Sequence, residues 1–345
     1  MDKPKVANEP VQTLDYYVGK ALDYFETPAQ PFDLQSFRAT FKPRRTLVVG
    51  SQSGYWAGVQ VFRHVGFPFI SAKEMQAQEV MDTNRGAFDC VVLVSASGTR
   101  QIVDLARHAL LKNAPPEAPR LPVYLITCKH GSVRAELEKD PGCARLLKHY
   151  HEFYVPASDE PPTINTCTYG GMLHRVTNED LGQIRALVHK LTRPAGNYAT
   201  KCAKAKALTV VVSDRMEAVG EMIGWKINGE IIGRQAGGIC KYLTNLMHGA
   251  FVVDAPGELY VGLGLSEEEH KVLTRQVLNQ VPASRKLNVQ FPGRRKMGPL
   301  AVLLAGYSIV GLFQRGHPYT AFQDNVSDGK YKTRTARWTW LPAVR

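Results

Sequence analysis

Two short runs of valine and other apolar residues each end in a loop of small hydroxyl-bearing residues and glycine. Residues 47–54 read Leu-Val-Val-Gly-Ser-Gln-Ser-Gly, and residues 91–99 read Val-Val-Leu-Val-Ser-Ala-Ser-Gly-Thr. Strands that are apolar throughout, rather than alternating, are typical of a parallel sheet covered on both faces. Loops of this kind, placed before a helix, can surround an anion with N–H and hydroxyl donors. The chain is therefore expected to form a parallel sheet with an anion-binding edge.

The first half of the chain alternates between strand and helix patterns after an initial helix over residues 13–26. The predicted strands are 45–50, 67–70, 90–94, 122–127 and 151–155. The predicted helices between them are 55–64, 72–80, 101–112 and 132–139. This order predicts an α/β fold with a doubly wound parallel sheet and helices on both faces.

A linker over 191–204 separates this half from a second alternation of the same kind. Strands are predicted at 208–212, 250–253, 258–261 and 286–289, and helices at 217–225, 230–246, 266–278 and 299–313. A chain of 345 residues has room for two domains. We expect an N-terminal helical segment (1–40), a first α/β domain (41–195) and a second α/β domain with a C-terminal tail (196–345). The shared order of elements favours an internal duplication.

Composition narrows the class of protein and of partner. Six cysteines are scattered without metal-ligand spacing, which favours reduced thiols in a cytoplasmic protein over a zinc site or a disulfide framework. The N-terminus has no apolar core typical of a signal peptide. The apolar stretch 297–313 is short for a bilayer span and is interrupted by Gly, Tyr and Ser, so a buried helix is expected there. A formal charge of +12 indicates an anionic partner without identifying it.

Two familiar nucleotide-binding patterns are absent from the sequence. Neither loop contains G-x-G-x-x-G, no acidic residue closes the predicted second strand, and the P-loop pattern does not occur. The alternative to an anion-binding first loop is an ordinary strand-to-helix turn in which serine caps the helix.

Five segments resemble the sugar isomerase (SIS) family in its double-domain form, which includes the isomerase half of glucosamine-6-phosphate synthase. Residues 48–57 resemble the first phosphosugar loop, and Ser95-Ala-Ser-Gly resembles the hallmark S-x-S-G. Residues 163–169 fall where the family has its third, substrate-edge segment. Gly229-Glu230 and residues 246–249 resemble the helix of the catalytic glutamate and the E-x-x-H-G segment after it. The resemblance implies a fold of two SIS-type sheets.

The resemblance also implies roles for individual residues. Glu230 would move a proton between C1 and C2 of the sugar, and His248, contributed by a neighbouring subunit, would open the ring, which implies a homodimer. Lys330 and Lys332 are candidates for the lysine that the family has near its C-terminus. No metal or other cofactor is implied. The phosphosugar-binding residues would be Gly50, Ser51, Gln52, Ser53, Ser95, Ser97, Gly98, Thr99, Arg100, Asn165 and Thr166.

The sequence departs from the family pattern at four places. Thr99 comes one position early and is followed by Arg100 rather than by the usual sequence. Gln52 replaces a residue that is often glycine. Asn245 stands where the E-x-x-H-G segment has its glutamate, and the separation of Glu230 from His248 is longer than expected.

The resulting hypothesis is a phosphosugar isomerase or deaminase that acts on a hexose or hexosamine 6-phosphate. The alternative is a non-catalytic phosphosugar-binding regulator. A third class, a nucleic-acid-binding protein, has weak support from the basic and aromatic tail at 330–340. The partner expected is a phosphorylated sugar, with no nucleic acid and no membrane.

Overall fold

The computed structural model describes residues 12–25, 34–112, 121–156, 160, 165–231, 237–248, 255–291 and 298–317. Two separate parallel sheets lie within these residues, one on each side of residue 196. Helices cover both sheets, so the predicted α/β class with two doubly wound parallel sheets is confirmed. The exact domain boundaries stay a prediction.

The first sheet has five parallel strands in the order β2-β1-β3-β4-β5. They are β1 (Thr46–Gly50), β2 (Phe69–Lys73), β3 (Cys90–Val94), β4 (Val123–Thr127) and β5 (Tyr150–Tyr154). Every residue of β1, β3 and β4 is buried, as the continuous apolar runs predict. Gly50 lies opposite Val94 at the ends of the neighbouring strands β1 and β3.

The described residues of this half form nine α-helices. They are α1 (Leu14–Phe25), α2 (Leu34–Phe41), α3 (Gln52–Val65), α4 (Ala77–Thr83), α5 (Arg100–Lys112), α6 (Ser132–Glu138), α7 (Pro141–Ala144), α8 (Thr166–Thr177) and α9 (Leu181–Thr192). Helix α3 lies close against the sheet because Gly58 has no side chain. A Cβ at that position would lie 2.8 Å from Cγ1 of Val48 and 2.9 Å from Cγ2 of Val94.

The second sheet has four parallel strands in the order β7-β6-β8-β9. They are β6 (Ala207–Val212), β7 (Gly237–Tyr242), β8 (Glu258–Leu263) and β9 (Lys286–Val289). The helices of this half are α10 (Asn197–Lys204), α11 (Glu217–Trp225), α12 (Leu243–Met247), α13 (Glu267–Lys271) and α14 (Pro299–Gly316). Two stretches of π-helix, Lys226–Ile231 and Val272–Val277, extend α11 and α13.

The prediction of one helix over 230–246 is wrong, although its last four residues, 243–246, do lie in helix α12. The π-helical stretch ends at Ile231, and Gly237–Tyr242 forms strand β7 beside β6. A pair of glycines at the start of this segment disfavours a helix, and parallel pairing with β6 satisfies the backbone instead. The strand predicted at 250–253 lies outside the described residues.

The long apolar stretch near the end of the chain forms α14, a core helix that begins at a proline as expected. Residues 299–314 of this helix are all buried. It is the one helix in the described ranges that is long and apolar enough to cross a membrane. It packs against α1, α8, α9, α10 and α11, and thus against helices from both halves. Close approach to α1 requires Gly311, because a Cβ there would lie 2.2 Å from the backbone nitrogen of Asp15.

Candidate functional site

The order of strands in the first sheet places a crevice between the ends of β1 and β3. The chain leaves β1 for β2 on one side and leaves β3 for β4 on the other side. Two adjacent strands whose connections leave in opposite directions form a topological switch point. In open α/β sheets, ligands bind at such a point, outside the carboxyl ends of the strands. The two hydroxyl-rich loops of the sequence follow Gly50 and Val94, which are neighbours in the sheet. The structure therefore brings both predicted loops to one place.

The first loop forms the start of α3 in an unusual conformation. Ser51 occupies the N-cap position, but its side chain accepts no hydrogen bond from the helix. Gln52 has a φ of +49°, in the left-handed region that favours glycine. Ser53 is only 4% exposed, and its Oγ has no hydrogen-bond partner in the described residues. Ser51 therefore occupies the N-cap position without acting as an ordinary side-chain cap.

Glu74 contacts this loop and was not anticipated from the sequence. Strand β2 extends to Lys73, further than predicted, so Glu74 directly follows it and the expectation that no acidic residue closes this strand is wrong. Burial raises the pKa of Glu74, and a side-chain hydrogen bond with Ser51 acts in the opposite direction. The Ser51 hydroxyl therefore has Glu74 as its partner within the protein.

The second loop is a tight turn that exposes its hydroxyls. The Ser95 Oγ accepts a hydrogen bond of 3.2 Å from the Gly98 N–H, and the Ser95 N–H donates to the carbonyl of Ile126 in β4. Gly98 has a φ of +59°, which a residue with a side chain adopts at a cost. Ser97 and Thr99 are exposed beside the start of α5. Ser95 thus holds the turn, and the other two hydroxyls face solvent.

A third helix start, that of α8, lies beside the first two. A Cβ on Gly54 would lie 3.1 Å from the hydroxyl of Tyr169, so the first turns of α3 and α8 are close together. Asn165, at the N-cap of α8, has a φ of +46° and makes no side-chain cap. Thr166 is fully buried, and its Oγ1 has no hydrogen-bond partner among the described residues.

The thiol of Cys128 fills the space between the second loop and α8. It hydrogen bonds to the Ala96 carbonyl oxygen at 2.5 Å and also to Thr168. Burial raises the pKa of the Cys128 thiol. A protonated thiol is a poor nucleophile, so Cys128 serves to pack and hydrogen bond the edge of the site.

The local charge favours an anion. The helices α3, α5 and α8 all begin here, and each helix start carries a partial positive charge with free N–H groups. Arg100 at the start of α5 and Lys129 after β4 are both exposed at the same edge. Lys129 was not among the predicted site residues, although its place two residues after the predicted strand 122–127 was a usable signal. A phosphate group fits the sign of this environment.

The π-helical stretch Lys226–Ile231 continues helix α11, which packs against α3. Arg63 at the end of α3 forms an ion pair with Glu217 at the start of α11, and the two helices pack along their lengths. The start of α11 therefore lies beside the end of α3, and the π-helical extension packs against β7 and α14. The backbone of Glu230 belongs to this extension. Single π-helical turns inside helices are frequent at functional sites.

Lys226, in the same stretch, is a further residue that sequence reasoning missed. Its side chain is fully buried, and its Nζ lies 5.8 Å from the centre of the Tyr307 ring of α14. A buried ammonium needs compensation, and an aromatic face supplies part of it.

His248 lies far from Glu230 within one chain. Ile227 of the π-helical stretch packs at the start of β7, because a Cβ on Gly238 would lie 2.6 Å from its Cγ2. His248 follows α12, beyond the other end of β7, and is exposed. The six residues of β7 span about 20 Å at roughly 3.3 Å per residue. One chain therefore does not bring these two residues together.

Two points remain, the candidate lysines near the C-terminus and the arrangement of metal-ligating side chains. Lys330 and Lys332 lie outside the described residues. Within the described ranges, no group of three or more His, Cys, Asp or Glu side chains is arranged to hold a metal ion.

Comparisons with known proteins give a match in structure and none in sequence. No protein-family model matches the chain, and no curated protein is similar to it in sequence. Solved structures do match it. One, from Silicibacter pomeroyi DSS-3 and provisionally described as a phosphosugar isomerase, has a TM-score of 0.62 at 13% identity and covers 89% of this chain and 99% of that one.

Two further structures carry named activities. Tagatose-6-phosphate ketose/aldose isomerase from Escherichia coli matches with a TM-score of 0.58 at 12% identity, covering 91% of this chain and 96% of that one. Glucosamine-6-phosphate deaminase from Thermotoga maritima matches with a TM-score of 0.50 at 13% identity, covering 89% of this chain and 96% of that one. At these identities the likeness concerns the fold.

Proposed function

The chain has an SIS-type fold, and from this premise we propose that it is a phosphosugar isomerase or deaminase. The substrate would be a hexose or hexosamine 6-phosphate. The observation that carries the proposal is the convergence of three helix starts, rich in hydroxyls, at the β1/β3 switch point. Structures of an isomerase and of a deaminase with the same fold support both reactions.

The phosphate would bind at the starts of α3 and α5. Ser97, Thr99 and Arg100 already face solvent there, and Ser95 shapes the turn that presents them. Ser53 and Thr166 carry buried hydroxyls without partners, and such a group costs about 1–3 kcal/mol. A ligand oxygen that bonded to either hydroxyl would recover part of this cost.

Glu230 would carry the proton in the chemical step. In the isomerisation its carboxylate removes a proton from one of the carbons C1 and C2 and returns it to the other, through an enediol. In the deamination the same transfer converts an amino sugar phosphate to an imine, and one water then releases ammonia and the ketose phosphate. The π-helical backbone at Glu230, at the end of a helix that packs against α3, supports this role.

His248 would act from a second copy of the chain. Because β7 separates it from Glu230 by about 20 Å, a homodimer in which the partner's His248 enters the site gives the ring-opening group that a single chain lacks. We propose this dimer together with a cytoplasmic location and a mechanism that uses no cofactor. A phosphorylated sugar, rather than nucleic acid or a membrane, is the proposed partner.

A panel of sugar phosphates tests the proposal. The protein is incubated with glucose, fructose, tagatose and glucosamine 6-phosphates, and the formation of a new ketose or aldose, or of ammonia, is followed. Turnover of at least one compound, abolished in Glu230→Gln while binding persists, is the expected result. Binding without turnover in both proteins would instead identify the alternative, a phosphosugar-binding regulator.

A further inference from the structure

Glu74 lies beside the first hydroxyl-rich loop, on the side away from the second loop. Strand β2 pairs with β1, and β1 pairs with β3, so that the last residues of the three strands lie side by side. The residues that follow them, Glu74, Ser51 and Ser95, therefore leave the sheet in that order. Adjacent strands lie about 4.8 Å apart, so two spacings, roughly 10 Å, separate the backbones of Glu74 and Ser95.

The hydrogen bond between Ser51 and Glu74 has a definite direction. It lowers the pKa of Glu74, against the effect of burial. A bond that lowers the pKa of a carboxyl group stabilises the ionised form, so the Ser51 hydroxyl donates it. A serine hydroxyl has one proton to donate and two lone pairs that accept. Because its proton goes to Glu74, Ser51 offers a ligand only an acceptor.

The carboxylate of Glu74 supplies a second acceptor. Its Oε1 atom is buried and has no hydrogen-bond partner among the described residues. The strand end that carries Glu74 is joined to the helix start after Ser51, because the hydroxyls of Tyr55 in α3 and Ser71 in β2 hydrogen bond at 2.9 Å. A buried acceptor without a donor destabilises the protein, so a ligand that donates a hydrogen bond here would recover that free energy.

The two loops therefore suit different parts of a sugar phosphate. Ser51 and Glu74 present acceptors, which repel the acceptor oxygens of a phosphate and attract a hydroxyl or an ammonium group. The second loop presents the exposed side chains of Ser97, Thr99 and Arg100. These side chains supply the hydroxyl and guanidinium donors that a phosphate requires.

We propose that Ser51 and Glu74 form a specificity-determining pair, which accepts a hydrogen bond from a hydroxyl or ammonium group of the bound sugar. The phosphate then lies at the second loop, and the sugar extends from it toward β1 and β2. This inference rests on the phosphosugar ligand proposed above, but it does not depend on the reaction that follows binding.

Calorimetric titration of the full chain with fructose 6-phosphate and with inorganic phosphate tests the pair at about pH 8, above the pKa range of most glutamates. Inorganic phosphate is measured by displacement of fructose 6-phosphate, so that weak binding is quantified. Glu74→Gln replaces one acceptor oxygen by a donor and should weaken fructose 6-phosphate about tenfold, with the affinity for inorganic phosphate unchanged. Ser51→Ala, at an exposed position, should weaken fructose 6-phosphate about fivefold and likewise spare inorganic phosphate.

Two controls complete the experiment. Ser97→Ala/Thr99→Val should weaken both ligands, and Glu79→Gln, at an exposed position of α4, should weaken neither. Equal losses for the two ligands in Glu74→Gln and Ser51→Ala, or unchanged affinity for fructose 6-phosphate in both, would overturn the pair and leave the proposed ligand standing. No saturable binding of fructose 6-phosphate to the wild-type protein would overturn the proposed ligand, and this inference with it.

Discussion

Arg63 in the last turn of α3 and Glu217 at the start of α11 form an ion pair, with 2.8 Å between Nη1 and Oε2. Both side chains are 46% exposed, so the pair contributes less than about 1 kcal/mol to stability. Its importance is positional, because it joins opposite ends of two packed helices from the two halves. It places the first turn of α11, the helix whose π-helical extension carries Glu230, against the last turn of α3, the helix that begins at the first hydroxyl-rich loop.

The separation of Glu230 from His248 within one chain leads to a complementation experiment. Glu230→Gln and His248→Ala should each reduce turnover by a factor of about 10² or more, as loss of a proton-transfer group does. Co-expression of the two variants should restore about a quarter of the wild-type activity. Hybrid dimers would then have one intact site, and half of the dimers in a random mixture are hybrids.

The control for this experiment is each variant expressed alone, which should stay inactive. Light scattering of the wild-type protein should give a dimer mass. An active monomer, or the absence of any recovery in verified hybrid dimers, would exclude the shared site.

Ser53 and Thr166 allow binding to be separated from stability. Their buried hydroxyls have no partners in the described residues, so Ser53→Ala and Thr166→Val should raise the free energy of unfolding of the ligand-free protein by about 1 kcal/mol each. The same changes should weaken binding of the sugar phosphate. Urea denaturation and calorimetry measure the two effects. A merely structural hydroxyl would give lower stability and unchanged affinity, which is the contrary result.

The backbone at Gln52 predicts an unusual response to glycine. Its φ of +49° costs a residue with a side chain roughly 1–2 kcal/mol, so Gln52→Gly should leave stability unchanged or raise it by up to about 1 kcal/mol. The matched control is Gln101→Gly in α5, an exposed position in a regular helix, which should lose about 1 kcal/mol. Equal losses in the two variants, measured by urea denaturation, would refute the strained conformation.

Glu179 predicts a pH dependence of stability. Its carboxylate accepts hydrogen bonds from the N–H groups of Leu300 (2.8 Å) and Ala301 (3.0 Å) at the start of α14. Burial nevertheless raises the pKa of Glu179 above its ordinary value of 4.5, against the effect of these bonds. The folded state therefore holds the proton more tightly than the unfolded state does. This contribution to stability is complete below pH 4.5 and is lost as pH rises through the folded-state pKa.

Comparison with Glu179→Gln isolates this effect, since glutamine does not titrate. The variant should be less stable by about 1 kcal/mol at pH 4.5, and the difference from wild type should shrink as the pH is raised to 7. Chemical denaturation across this range measures the difference. A difference that grows with pH would show that the hydrogen bonds to α14, rather than burial, dominate the pKa.

Much of the fold was predictable because burial leaves a direct mark on sequence. The strands β3 and β4 and the helix α14 consist of continuous apolar residues, and their predicted positions agree with the structure to within a few residues. Strand β2 lies at the edge of the first sheet, and three of its five residues are exposed. Its weak apolar pattern placed it too early and concealed Glu74 at its end.

The second half and the site depend on long-range contacts that a sequence pattern does not contain. The segment after Glu230 has apolar residues at helical spacing, but Gly237–Tyr242 pairs with β6, and only the sheet decides this. The two hydroxyl loops were identified correctly as loops at strand ends. The nearness of the first loop to Tyr169 follows from the packing of α3 against α8, which no local signal indicates.

The most direct test of the central claim, that the β1/β3 loops bind a sugar phosphate, is a calorimetric titration with fructose 6-phosphate beside fructose. We expect saturable binding of the phosphate ester at least about tenfold tighter than that of fructose, and a loss of about tenfold or more in the double variant Ser97→Ala/Thr99→Val, as charge-assisted hydrogen bonds predict. Equal affinity for the two sugars, or a double variant that binds fructose 6-phosphate as tightly as the wild type does, would contradict the claim.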